Sequence, residues 1–402
     1  MLSGLMGFII LFYFVVPLVY VVFKSQLEVN KGYLPYYDAD FYSIFMAAFS
    51  IFLFLSVFLL TYAQKNKSKT VYIYDKNRMK KCAKFLMWFS FLVGGGSFIL
   101  YIRAFGGVER LFYYAEYLRS FSSSGSTIVG YWASILLLPA RMIVATPLIA
   151  IMVQENEKRF IYKFVFVVSF VLACIFLLAD SGKISILMFL LIYAVPIANK
   201  FVKHPWRWAI LCAIICFPLI GVLDSLFSYI SSGIWQDVST QWTSYFGQLT
   251  YPWANTLNME KIFPLSNLRW GSDYITGILN ILPGISVFPP YEDISVFYSG
   301  TDWMQGGGTP SDLLIFGYSQ FSYFGIIVEA ILLGWLCGKA DNILKQVPHT
   351  FAGVMLHTAL VVGMVNLCMN ADVTGIIQSQ FTLVFSVIIL LFSMKRKKSG
   401  KE

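Results

Sequence analysis

The sequence predicts an all-α polytopic membrane protein with about ten transmembrane helices and both termini cytoplasmic, and three observations lead there. Of 402 residues, 58% are apolar and only 13% charged, whereas a water-soluble domain covers its surface with roughly a quarter charged residues. Uncharged stretches of about 20 residues recur along the chain, long enough to cross a roughly 30 Å hydrocarbon core. The Lys and Arg residues gather in a few connectors between those stretches, the pattern that orients membrane proteins with their positive loops inside.

Ten spans follow, at about residues 2–23, 41–63, 85–103, 131–153, 160–179, 183–200, 208–226, 312–337, 350–369 and 374–393. They are too long and too uniformly apolar for barrel strands, which alternate over about ten residues. The second connector holds Lys65, Lys67, Lys69, Lys76, Arg78, Lys80, Lys81 and Lys84, so it is assigned to the cytoplasm. Alternation from that choice places 21 cations inside, eight outside and Arg141 in mid-membrane, with five acids inside, 15 outside and Glu329 within a span. The net charge of +9 is therefore read as a topology signal, and no nucleic-acid partner is expected.

The first span lacks a basic start and a small-residue cleavage site, so it reads as a retained anchor. No Cys falls well out in an outer loop, which predicts no disulfide framework, and Cys212 and Cys216 on one helical face read as packing residues. No repeat of 20 to 50 residues and no pair of broken helices in matching halves is visible, which counts against an inverted-repeat transporter. The whole chain reads as one integral membrane domain with two long extracytoplasmic loops, 104–130 and 227–311. Loops of that size usually carry function.

The first long loop opens Arg103-Ala-Phe-Gly-Gly-Val-Glu-Arg110 and continues to Glu116, Arg119 and a Ser-rich stretch. Arg110, Tyr113, Tyr114, Tyr117 and Leu118 are spaced as on a surface-lying amphipathic helix. Its arginines either snorkel to lipid headgroups or clamp a diphosphate, whose oxygens match guanidinium forks. Arg141 follows Pro139 inside the fourth span, where a cation costs about 2.5 to 3.5 kcal/mol and so must face a cavity or a partner such as Glu329. Asp180 and Lys183 bracket Ser181-Gly182 at the outer face, as a hairpin turn or as a phosphate contact. In Gly306-Gly307-Gly308-Thr309-Pro310-Ser311-Asp312, Thr309 fits a helix N-cap, Pro310 the first helical position and Asp312 the third residue of a capping box. Pro289-Pro290-Tyr291-Glu292-Asp293 reads as a folded loop with two adjacent acids. Asp38 and Asp40 form a weak metal-type pair, and no metal site is indicated. His204, His349 and His357 fall on the cytoplasmic side, away from outer-face chemistry.

The order of these features resembles the O-antigen and capsular repeat-unit polymerases, the Wzy-type membrane glycosyltransferases. The resemblance is carried by the Arg-rich loop with Arg119 eleven residues before Gly130, by Asp180-Ser181-Gly182-Lys183 leading into a span, and by Gly306 to Pro310 followed by Phe316-Gly317-Tyr318 and Phe321-Ser-Tyr-Phe324-Gly325. Two departures stand out: the nearest acid to Phe316-Gly317 is Asp312, and Asn280 occupies the eleventh place after Arg269. The related O-antigen ligases use a histidine in the large loop, and this loop has none.

The resemblance implies a multi-pass protein of the cell (inner) membrane. It would join undecaprenyl-diphosphate-linked glycan donor and acceptor in the bilayer, working with a chain-length regulator and without a cofactor. Stabilising the departing diphosphate would fall to Arg103, Arg110, Arg119, Arg141, Lys183 or Arg269. Deprotonating the acceptor hydroxyl would fall to Glu116, Asp180, Glu292, Asp293 or Asp312. A transporter or flippase of lipid-linked oligosaccharide is the alternative from another class.

Overall fold

The computed structural model describes residues 2–18, 40–66, 72–114, 131–201, 249–279, 290–299, 309–373, 375, 376 and 380–396, with isolated positions between 221 and 235. In chain order the helices are α1 (Leu2–Ile10), α2 (Phe41–Asn66), α3 (Lys76–Phe89), α4 (Gly96–Phe105), α5 (Val108–Tyr113), α6 (Tyr131–Ala140), α7 (Thr146–Asn156), α8 (Phe160–Phe176) and α9 (Gly182–Phe201). They continue with α10 (Tyr251–Ile262), α11 (Ser272–Leu279), α12 (Pro290–Ser299), α13 (Leu313–Leu344), α14 (Phe351–Met369) and α15 (Phe381–Ser393). Two three-residue strands, β1 (Tyr72–Tyr74) and β2 (Met394–Arg396), pair antiparallel. The protein is an all-α membrane protein in its described part. Six of its helical segments are long and apolar enough to cross a bilayer, and Gly4–Leu18, Ser185–Asn199 and Phe381–Ser393 are shorter apolar helices. The seventh expected span, 208–226, falls almost wholly outside the described residues, and the tenth begins at Phe381 rather than 374.

The chain divides into two compact units. The first comprises Met1–Thr70, Ser239–Leu344 and Met364–Gln378; the second comprises Val71–Val238, Lys345–Gly363 and Ser379–Glu402.

In the first unit α2 and α13 lie close enough that a Cβ on Gly334 would come within 2.7 Å of the Phe58 carbonyl oxygen. Asp341 accepts hydrogen bonds from the Leu2 N–H (3.1 Å) and the Tyr62 hydroxyl (2.9 Å), drawing the starts of α1 and the ends of α2 and α13 to one end. α13 is not one rod. Phe321 (φ −145°) and Ser322 (φ 57°, ψ −143°) leave the helical region, and the chain folds back, so that a Cβ on Gly325 would fall 1.8 Å from the Gly317 carbonyl oxygen. Residues eight apart on a straight helix are about 12 Å apart. The segment 313–320 is therefore a half-helix packed against the longer half, whose 22 residues from Tyr323 to Leu344 span about 33 Å. A serine at positive φ is strained, and the glycines at 317 and 325 permit the backbone contact. This corrects the sequence reading, in which 312–337 was a single unbroken span.

The start of the half-helix is also corrected. The first helical residue is Leu313, and Asp312 caps it: its carboxylate accepts the Leu314 N–H (3.1 Å) and its carbonyl the Phe316 N–H (2.9 Å). Thr309 instead donates its N–H to the Ser295 hydroxyl (2.8 Å).

In the second unit Phe170 stacks near Phe189 and Phe166 near Tyr193, so α8 and α9 form a hairpin whose reversal lies in the wide helical turn Leu177–Ser181. The reversal expected around Ser181 is present. α3 runs through a second wide turn, Ser90–Gly95, into α4, where a Cβ on Gly94 would meet the Ile143 backbone nitrogen at 2.8 Å. At the opposite end from the Leu177–Ser181 turn, Glu157 accepts from Lys80 (2.8 Å), Lys84 (3.4 Å) and Tyr162 (2.8 Å). Glu155 there caps α14 through the Phe351 (3.1 Å) and Ala352 (2.5 Å) N–H groups. Asp75 caps α3 and donates its own N–H to the Ser393 carbonyl (2.7 Å), next to the register Tyr72 opposite Arg396. Four segments that the charge pattern assigns to one side thus meet at one end of this unit.

Candidate functional site

In the second unit the stretches that carry Arg103, Arg110 and Arg141 are brought together by one apolar cluster. α4 ends at Gly106 (φ 86°), and Gly107 (φ 125°) then turns the chain back into α5. Positive φ at two successive positions suits glycine, and the reversal carries Leu111 into an apolar cluster with Phe98, Tyr101, Phe105, Ala140, Ile143, Phe176 and Ala179. The cluster is shared by the last turns of α4, by α5, by the α6–α7 junction and by the α8–α9 turn. Around it stand Arg103 and Arg110, both exposed, and Arg141, partly buried. Arg110 folds back along Gly106, its Nη1 lying 3.2 Å from where a Cβ would be.

Arg141 opens a tight 3-10 turn, Arg141–Val144, two residues after Pro139. Pro147, in the first turn of α7, has no N–H for the Ile143 carbonyl four residues back and clashes with it, which accounts for the break. Ala140 and Ile143, on either side of Arg141, share an apolar cluster with Phe176 and Ala179 of the α8–α9 reversal. The backbones of Asp180 and Lys183 belong to that same reversal, and their side chains lie outside the described residues. Glu116 and Arg119 also lie outside them, as do Tyr117 and Leu118, so the expected surface helix is described only over Val108–Tyr113. Glu329, suggested as a partner for Arg141, accepts a hydrogen bond from the Tyr274 hydroxyl.

Arg269 and Asp312 belong to the first unit, each in a separate setting. Pro264 stops α10, the 3-10 turn Leu265–Asn267 follows, and Trp270 (φ 51°) and Gly271 (φ 77°) turn the chain into α11. The Arg269 and Trp270 N–H groups donate to the Ser319 (2.8 Å) and Gln320 (2.9 Å) carbonyls, supplying partners to the end of the half-helix, where carbonyls lack internal donors. The Arg269 side chain pairs with Asp273 (2.9 Å) and Asp293 (2.5 Å). Gln320 also donates to Asp273, at 2.6 Å. Asp273 is 3% exposed and Asp293 52%. The inner pair is therefore architecture, while the outer carboxylate faces a cleft of about 540 Å³ lined by Ile262, Phe263, Asn267, Arg269, Asp293, Val296 and Phe297.

Burial alone would loosen the Arg269 proton, but the bond to Asp293 and the two carboxylate charges outweigh it and hold the guanidinium above its ordinary pKa. Burial pushes the neighbouring Glu292 carboxyl up to about 7, with the Asp293 charge adding to it and Arg269 opposing. A carboxyl titrating there is poised to take and give a proton near neutral pH. Glu292 and Asp293 were legible as adjacent acids, whereas the pairing of Arg269 with Asp293 joins two ends of a loop that no local pattern links. Asp312, by contrast, is 0% exposed and bonded to Tyr13 (2.6 Å) and Asn255 (2.9 Å). Its burial and bonding describe a structural cap, and they remove it from the surface where a catalytic base would meet a sugar hydroxyl.

Among the described residues no group of three or more His, Cys, Asp or Glu is placed to hold a metal. Comparison of the chain with protein-family models, with curated proteins and with solved structures finds no match.

Proposed function

We propose that the protein is a membrane glycosyltransferase that polymerises undecaprenyl-diphosphate-linked oligosaccharide repeat units into O-antigen or capsular polysaccharide on the extracytoplasmic face of the cell membrane. The observation that carries this reading is that the segments bearing Arg103, Arg110 and Arg141 and the backbone of the Asp180–Lys183 turn are joined by one apolar cluster. A lipid diphosphate leaves with its charge already delocalised, so the protein's task is to hold that charge next to the bilayer, and guanidinium groups on segments that share an apolar cluster suit it. The opposite end of the second unit, rich in lysine around Glu157 and the strand pair, is then the cytoplasmic end by the positive-inside rule.

A second reading, a flippase for the same lipid-linked units, is favoured by one feature: the half-helix 313–320 and the break at Phe321–Ser322, because discontinuous helices are common in transporters. Deleting the gene in its native host and resolving surface glycan and lipid-linked intermediates on a gel separates the two. Single repeat units still exported but no ladder support the polymerase. Units trapped on the cytoplasmic side with no surface glycan support the flippase and overturn the polymerase.

A further inference from the structure

At the end of the second unit opposite the Leu177–Ser181 turn, three cations crowd one acid. The Glu157 carboxylate has the Lys80 Nζ 2.8 Å from one oxygen, and the Lys84 Nζ at 3.4 Å and the Arg159 Nε at 3.8 Å from the other. It also accepts the Tyr162 hydroxyl at 2.8 Å, and the Lys84 Nζ lies 5.6 Å from the centre of the Tyr162 ring. One negative charge against three positive ones leaves two uncompensated. The Arg159 nitrogen stands beyond hydrogen-bond reach of Glu157, so the acid does not use up its guanidinium fork. The side chains of Lys80, Lys84 and Arg159 are 34%, 40% and 70% exposed, against 16% for Glu157. The acid therefore holds the cluster from within, and the surplus positive charge faces outward.

Apolar surface begins directly beside these cations. Arg159 leads into α8, on which Phe160, Phe164, Val167 and Val171 are exposed while Tyr162, Val165, Ser169 and Ala173 are buried. Successive spacings of four, three and four residues place the exposed set along one helical face. From Phe160 to Val171 the helix rises about 16 Å, close to half of a roughly 30 Å hydrocarbon core and so the depth of one leaflet. Lys84 is likewise followed by Phe85, exposed and stacked near Phe89 along α3. A cationic rim that opens on to an apolar face of leaflet depth presents the two chemistries of a phospholipid in the order the lipid needs. Guanidinium and ammonium donors match phosphate oxygens, and the surplus charge selects a headgroup with net negative charge over a zwitterionic one. A soluble phosphate would use the rim and leave the apolar face idle.

We propose that Lys80, Lys84 and Arg159 bind the headgroup phosphate of an anionic phospholipid whose acyl chains lie along the Phe160–Val171 face of α8, a role independent of the glycan-polymerising reading. The test is the thermal unfolding midpoint of the purified full-length protein in a non-ionic detergent, titrated with phosphatidylglycerol, with phosphatidylcholine of the same acyl chains, or with glycerol 1-phosphate, the soluble headgroup analogue. A ligand bound by the folded state alone raises the midpoint with its concentration. The expected result is a rise of a few degrees with phosphatidylglycerol (~2–4 °C) and a midpoint near its starting value with the other two. In Arg159→Gln the half-saturating phosphatidylglycerol concentration is expected to rise about fivefold, the worth of one basic residue beside an anionic lipid. Lys81→Gln, which takes an equal charge from an exposed position of α3, is expected to leave it near the parent value. No rise with phosphatidylglycerol, an equal rise with phosphatidylcholine or with glycerol 1-phosphate, or an equal weakening in both variants would overturn the site. The second and third of these outcomes would mean bulk lipid packing and an anion patch that ignores the chains, and the last would mean diffuse surface charge. The lipid comparison on the unmodified protein decides the matter even if a variant does not fold.

Discussion

Replacing Glu292 by Gln tests the Glu292–Asp293 pair of the first unit through stability alone, without a glycan substrate. The carboxyl titrates near 7 in the folded protein against an ordinary value of 4.5, so between those values it is protonated when folded and ionised when unfolded. A raised carboxyl makes the native state bind more protons than the unfolded chain, so stability falls as pH rises from 4.5 and levels off above 7. At about 1.36 kcal/mol per pH unit the full effect would be capped at about 3.4 kcal/mol. Glu292 is only partly buried, and solvent screening brings this to about 1 to 2 kcal/mol. Gln cannot ionise, so Glu292→Gln removes the penalty. The assay is thermal unfolding in detergent of parent and variant at pH 5 and pH 8. The variant is expected to gain about 1 to 2 kcal/mol on the parent between the two pH values. The same parent-to-variant difference at both would refute the reasoning, because it would place the Glu292 carboxyl at its ordinary value.

Three further outcomes are expected. Arg141→Ala, at equal membrane expression, shortens or abolishes the polysaccharide ladder; unchanged polymer length and amount would remove Arg141 from the diphosphate site. Gly325→Ala places a methyl 1.8 Å from the Gly317 carbonyl oxygen, an overpacking that costs about 1 to 3 kcal/mol or more. Its melting midpoint should therefore drop sharply, whereas Gly7→Ala, with nothing within 4 Å, should leave the midpoint near the parent value. The hydrogen bond from Lys80, then that from Tyr162, holds Glu157 down to about 2. Its stabilising contribution is full above 4.5 and is lost as pH falls through 2, so acid unfolding monitored from pH 5 downward should be shallower in Glu157→Gln.

The six helices long and apolar enough to cross a bilayer were legible because apolar length is a one-dimensional property, and the hairpin at Ser181 was legible because a small polar pair interrupts two apolar runs. The meeting of the segments that carry Arg103, Arg110 and Arg141 was not legible as geometry, since it depends on the two glycines at 106 and 107 turning α5 back. The break at Phe321–Ser322 was hidden for a physical reason. Neither residue is Gly or Pro, and the strain at Ser322 is tolerated because Arg269 and Trp270 supply N–H groups to Ser319 and Gln320 from a distant part of the chain. The available hint was the pair Gly317 and Gly325, which a straight helix would hold about 12 Å apart. The cap was misplaced for a similar reason: Thr309, Ser311 and Asp312 are all capping residue types, and only the tertiary bonds of Thr309 to Ser295 and of Asp312 to Tyr13 decide among them. Arg269 was offered as a free anion ligand. Its Asp273 partner, one helical turn on, was visible in the sequence, while Asp293 was not.

The strand pair has a consequence for how the protein is made. β1 and β2 lie more than three hundred residues apart, and the second unit is assembled from three separate stretches of chain interleaved with the first. While the ribosome is still supplying residues 239–344, α3 is already inserted with no strand to close its entry, and Asp75 has no Ser393 carbonyl to receive its N–H. The β1 edge and the Asp75 N–H therefore stay without these partners until Met394–Arg396 is made. That order of events makes late closure, rather than membrane insertion, the step at which a quality-control protease would find an exposed edge.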